Sequence, residues 1–179
     1  MLFRSIRVGN SFTLFPSPKG NLQLAAAGNI TFEDFRGSAS SVSLSDADTA
    51  LLPNVVRPAN VYDAAGRLDG RSGPALVHAL TPVHQDDATG PARIVAMSGS
   101  ITGGAYYLSK PAQFQAGVDI KDILFKGQNL RTEDVTSLAA GRDVTFSTPR
   151  NTLTGTQIPN DSRIVIGGPG RLEVEAGRH

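Results

Sequence analysis

The chain has 179 residues and is 40% hydrophobic, enough to fill the core of one domain, and its apolar fraction is aliphatic: tryptophan is absent and aromatics make up 6%. There are 17 basic and 16 acidic residues, the basic ones scattered singly so that no basic footprint for nucleic acid is left, and the absence of cysteine excludes disulfides, thiol nucleophiles, zinc-thiolate sites and iron–sulfur clusters. Nineteen glycines and 11 prolines suit many short strands separated by tight turns.

Taken in chain order, residues 1–15 (MLFRSIRVGNSFTLF) carry basic residues but no apolar signal core, because Arg4, Arg7, Asn10 and Ser11 interrupt it. An export signal is therefore expected outside this chain. No window approaches the roughly 18 consecutive apolar residues of a membrane helix. The first alternating run is Asn21–Ala25. Residues 33–91 then break the pattern with SASSVSLSDADTA and Pro53, Pro58, Pro74, Pro82 and Pro91. We read them as a long Pro-rich excursion from the coil turns, with a short helical turn near Asp46–Leu52 capped by Ser45 or Asp46. Alternation returns in Ala92–Ala96, Ala112–Ala116, Val144–Phe146, Arg163–Ile166 and Arg171–Glu175. In the last of these Leu172 and Val174 point inward, and Arg171, Glu173 and Glu175 point outward.

One phrase recurs: a small residue, Gly, one or two polar residues, then an apolar residue. It reads Ala27-Gly28-Asn29-Ile30, Ser98-Gly99-Ser100-Ile101, Ala116-Gly117-Val118-Asp119-Ile120, Ala140-Gly141-Arg142-Asp143-Val144 and Ala176-Gly177-Arg178. Successive glycines are 71, 18, 24 and 36 residues apart. The two shorter gaps bracket the roughly 20–25 residues of a solenoid coil, and longer gaps mean inserted loops or coils whose phrase has drifted. Gly127-Gln128-Asn129-Leu130 marks another corner. The expected fold is an all-β parallel β-helix spanning 1–179, irregular over 33–91 and most regular over 92–179. We expect the phrase glycines to supply positive φ at sharp corners, and the neighbouring Asn or Asp to bond its own turn.

Gly167-Gly168-Pro169-Gly170-Arg171-Leu172-Glu173-Val174-Glu175 is similar to a calcium-binding β-roll nonapeptide, but the position that must be Asp is Leu172, so a tight turn is expected there. Candidate acids for a carbohydrate-active β-helix enzyme are Asp119, Asp122, Glu133, Asp134 and Asp143. Asp119 and Asp143 hold the same place in successive phrases and should stack in register, about 5 Å apart. A ladder of turn residues predicts the same placement, and it is the preferred reading. His78 and His84 lie in the excursion near Asp86 and Asp87, and His179 is the last residue; their spacing does not favour a metal site. No catalytic, cofactor-binding or metal-binding residue is assigned. A binding module built from 33–91 is a further alternative.

The stretch Pro111–Asp122, PAQFQAGVDIKD, followed by Gly127–Val144, GQNLRTEDVTSLAAGRDV, resembles the repetitive region of filamentous haemagglutinin-like exoproteins of Gram-negative two-partner secretion systems. Pro169–Arg178 is similar to the same family's glycine-turn coils. The resemblance covers residues 92–179, with Asn21–Phe32 a shorter match. It implies a right-handed parallel β-helix exported through an outer-membrane transporter, secreted or displayed on the cell surface, and serving as an adhesin segment toward a host-cell receptor or glycan. The family's secretion domain is not in this chain, the repeats carry no catalytic residues, and the last phrase reads as a coil cut short, as in a fragment. Open coil ends are expected to self-associate end to end.

Overall fold

The computed structural model describes residues 4–14, 16–33, 40–47, 79–81, 83–84, 89–147 and 162–177. Fifteen strands and no helix lie among them, three strands to a coil. The first coil is β1 (Ile6–Val8), β2 (Phe12–Leu14) and β3 (Gln23–Ala26), and the second is β4 (Ile30–Phe32), β5 (Ser41–Leu44) and β6 (Ala92–Ala96). The third is β7 (Ile101–Gly103), β8 (Ala105–Leu108) and β9 (Ala112–Ala116), and the fourth β10 (Asp119–Lys121), β11 (Leu124–Gln128) and β12 (Val135–Ala140). The fifth is β13 (Asp143–Thr145), β14 (Arg163–Gly167) and β15 (Arg171–Ala176).

Every third strand pairs in parallel, giving three five-stranded sheets: β1-β4-β7-β10-β13, β2-β5-β8-β11-β14 and β3-β6-β9-β12-β15. This is a three-sided parallel β-helix. Each of the four phrase gaps is one coil; the long first gap is a coil with an insertion between β5 and β6, not several drifted coils. The expected excursion therefore departs from 33–91 at its start, because Ser41–Leu44 is a strand of the second sheet. The expected helical turn falls on residues that, beyond Ala47, lie outside those described. Within them, the Ser45 hydroxyl accepts from the Ala47 amide at 3.1 Å.

Parallel register stacks like residues into columns. Ile6, Ile30, Ile101, Ile120 and Val144 form one in the first sheet. In the third sheet, Leu24, Ile94, Phe114, Leu138 and Val174 form a second, and Ala26, Ala96, Ala116, Ala140 and Ala176 a third. Inside the tube the rings of Phe32, Tyr106, Phe114 and Phe125 form a chain through three coils, with centroids 4.8, 5.1 and 5.4 Å apart, the first pair tilted and the next two edge to face. Gly127 lies in β11 two residues from Phe125, where a side chain would run into that ring.

Tyr106 is fully buried and its hydroxyl has no hydrogen-bond partner. A buried orphan donor costs free energy that phenylalanine would not. Tyr106→Phe should therefore stabilise the fold by about 1 kcal/mol. Denaturant unfolding checks this, and a loss of stability would mean that the hydroxyl has a partner in solution.

The phrase glycines form the corner between the third and first sheets, but not for the reason expected. Positive φ occurs at Gly90, Gly103, Gly104, Gly168 and Asp122, and at none of the phrase glycines. What the corner requires is close approach. A β-carbon on Gly117 would overlap the backbone of Met97 and Ser98, and one on Gly141 would overlap the backbone of Gly117. The left-handed positions lie chiefly at the other corners: Gly103 (φ 70°) and, one coil later in register, Asp122 (φ 53°) turn the chain from the first sheet to the second. Asp is one of the few side chains that tolerates this conformation.

Candidate functional site

One register position at the start of the first-sheet strands is polar throughout: Ser5, Asn29 and Ser100 just precede β1, β4 and β7, and Asp119 and Asp143 are the first residues of β10 and β13. Each of the first four accepts from the backbone amide of the next. Ser5 Oγ accepts from Asn29 N at 3.2 Å, Asn29 Oδ1 from Ser100 N at 2.8 Å, Ser100 Oγ from Asp119 N at 3.2 Å, and Asp119 Oδ1 from Asp143 N at 3.3 Å. The corner is thus a polar ladder between coils, where bonding within a single turn was expected. Only short acceptors reach the next coil's amide, which is why the phrase carries Ser, Asn or Asp at this step.

Asp119 and Asp143 do stack in register. Asp119 is buried and fully engaged by cations: Arg142 Nε donates to its Oδ1 at 2.7 Å, the Arg142 terminal nitrogen donates to its Oδ2, and Lys121 Nζ sits 2.7 Å from Oδ2. Hydrogen bonds from Arg142 and then Lys121 outweigh desolvation and hold the Asp119 carboxyl well below the usual carboxylate range. Asp143 lies 3.8 Å from Arg142 Nε. At neutral pH Asp119 is an acceptor locked in its ionised form and has no proton to donate to a leaving group.

The folded pKa of Asp119 is lower than its unfolded value near 3.9, so its stabilising contribution is complete above about pH 4 and is lost as pH falls through the folded pKa. Wild type should therefore exceed Asp119→Asn in thermal midpoint by a constant margin at neutral pH, and that margin should shrink in acid below pH 4. A margin unchanged in acid would mean that the ionised form contributes nothing.

The remaining candidate acids sit elsewhere. Asp122 is at the corner between the first and second sheets, where its carboxylate accepts from Ser147 N and Oγ, both at 2.6 Å. Glu133 and Asp134 are at the corner between the second and third sheets. There Asp134 Oδ2 accepts from Arg131 N at 2.9 Å, and Glu133 lies within reach of the Thr132 hydroxyl at 3.2 Å. The five acids are thus divided among three corners. His78, Asp86, Asp87 and His179 lie outside the described residues. Gly168 (φ 92°) turns β14 into β15 through Pro169 and Gly170, the tight turn into a strand expected there.

This last corner holds a feature the sequence did not reveal. A cleft of about 260 Å³ is lined by His84, Pro91, Lys110, Arg131, Glu133 and Asp134, among others. Lys110 is 2% exposed and His84 4% exposed, and Lys110 Nζ donates to Thr89 Oγ1 at 3.0 Å. Beside the cleft, buried Asn129 bridges two coils, its Nδ2 donating to Arg171 O at 2.8 Å and its Oδ1 accepting from Thr136 Oγ1 at 2.8 Å. Its lining comes from stretches up to about fifty residues apart in sequence, so no local motif announces it. Chemically, a buried ammonium with an imidazole, a guanidinium and two carboxylates at one concavity suits a polar, hydrogen-bonding ligand. Neither family models, nor curated proteins, nor solved structures give a match to this chain.

Proposed function

We propose that the chain is a structural and adhesive segment of a large filamentous haemagglutinin-like exoprotein, carried through an outer-membrane transporter of the two-partner type and displayed on the cell surface or secreted. The observation that carries the reading is the way the glycine corner is used: its polar groups bond coil to coil, as a load-transmitting stalk requires and as a reaction centre does not. Flat outer columns such as Gln23, Arg93, Gln113, Ser137 and Glu173 offer polar side chains to a receptor or glycan. The repeat phrases and their family resemblance supply the export route.

Beads coated with the chain should retain cultured epithelial cells above beads coated with an inert protein, and treating the cells with glycosidases should separate glycan from protein receptors. Beads that retain no cells remove the adhesive part. Export is checked by expressing the parent polypeptide with and without a two-partner transporter and measuring its release from the cell; release that ignores the transporter removes that part.

A second reading, a binding module on the excursion, is favoured by the cleft, because His84, Gly90 and Pro91 of that stretch line it. Lys110→Ala would then weaken retention of cells while leaving the stack folded. Retention equal to wild type would place adhesion on the outer sheet faces.

A further inference from the structure

We propose that the cleft at the corner between the second and third sheets is a site for one uncharged sugar ring, either free or at the end of a glycan. This rests on the second reading above, that the cleft binds, and gives the site its ligand class. Three successive coils build it. Ala92 N donates to Pro111 O at 2.9 Å, and Gln113 pairs with Arg93 on one side and Ser137 on the other. Pro91, Pro111 and Val135 each stand two residues ahead of one of these three, and so line up from coil to coil along the cleft. The strip they form is apolar. By alternation Gln113 stands on the same face of its strand as Pro111, at the edge of that strip.

The polar part of the lining carries both signs. Lys110 and Arg131 contribute two cations and Glu133 and Asp134 two carboxylates, so with a neutral His84 the lining has no net formal charge. A ligand with a net charge would meet the wrong sign as well as the right one. A hydroxyl both donates and accepts, and so uses both kinds of group at once. The carboxylates have the capacity for it: each offers about four lone-pair sites, of which Asp134 gives one to the Arg131 amide and Glu133 one to the Thr132 hydroxyl. A sugar ring carries hydroxyls at its rim and C–H groups on its faces, which matches polar groups set around an apolar strip. Size points the same way. At about 260 Å³ the cleft is smaller than the roughly 300–1,000 Å³ that hold drug-sized ligands, leaving room for one ring and not for a chain.

The test uses the whole chain with the methyl glycosides of galactose, glucose, mannose and N-acetylglucosamine, and with glucuronate and glutamate as charged probes, read by titration calorimetry and saturation-transfer NMR. At least one uncharged glycoside should bind one to one, and neither charged probe should match it. Gln113→Ala and Glu133→Ala should each weaken that binding by about tenfold or more. Neither side chain belongs to the packed interior, so circular dichroism should show the stack unchanged. Glu133 is exposed, and its variant decides the matter should Gln113→Ala fail to fold. Gln115→Ala, on the same strand and face but farther from the corner, should bind as wild type does.

A free hexose that binds where its methyl glycoside does not makes the ligand a free sugar, and equal binding of the two makes it the end of a glycan. The proposal is overturned if no uncharged sugar binds, if glucuronate or glutamate binds more tightly, or if binding survives both variants. Failure of the underlying reading is separately visible. With no sugar bound, a Lys110→Ala chain that loses its retention of cells keeps the cleft as a site for another ligand class, and one that retains cells as wild type does removes the cleft from adhesion altogether.

Discussion

Truncating Phe114 to alanine is expected to cost about 3–5 kcal/mol of stability, the upper range for removing a buried aromatic side chain. The ring is 1% exposed and packs edge on against both Tyr106 and Phe125, at interplanar angles of 89° and 74°. Its column neighbours, Ile94 and Leu138, are held by strands whose register is fixed along their whole length, so the cavity cannot collapse without breaking the parallel ladders. Phe146→Ala, at a site 41% exposed, should change stability by no more than about 0.5 kcal/mol. Urea unfolding of both variants measures the contrast. Equal losses would mean that the ring chain does not organise the interior.

How much of this was legible in the sequence depended on strand length. Runs of five alternating residues, Ala92–Ala96 and Ala112–Ala116, coincide with β6 and β9, because three inward side chains on each establish the period. Strands β1 and β2 have three residues each, too few for a period to show, and Arg7 within β1 reads as an interruption of an apolar stretch. Only the register reveals that Ile6 and Phe12 belong to columns. Likewise Ser41–Leu44 reads as part of the excursion because serine alternates there with Val42 and Leu44 beside a Ser- and Pro-rich stretch.

The glycine phrase locates the corner, and spacing alone places its Asp residues in register. What spacing could not convey was direction: whether a short polar side chain bonds its own turn or the next coil depends on the 5 Å step between strands, a three-dimensional quantity. The cleft was illegible for a related reason, since Lys110, His84 and Arg131 converge only after the coils have stacked.

The corner glycines allow the sharpest separation of the two explanations for glycine. Gly117→Ala should destabilise by about 1–3 kcal/mol, since the added methyl would overlap the backbone of Met97 and Ser98 in the coil below, and backbone held in a ladder cannot give way as a flexible side chain can. Gly9 has no positive φ, and a β-carbon there would meet only the Glu33 carbonyl at 3.8 Å, an ordinary contact. Gly9→Ala should therefore be neutral or stabilise by up to about 1 kcal/mol through reduced freedom of the unfolded chain. If conformational freedom were what the corner needs, both alanines would behave alike, because neither site has a left-handed backbone. Thermal and urea unfolding of the pair decides it: a loss confined to Gly117→Ala assigns the repeat's glycine to close stacking of coils, and equal effects at the two sites reject that assignment.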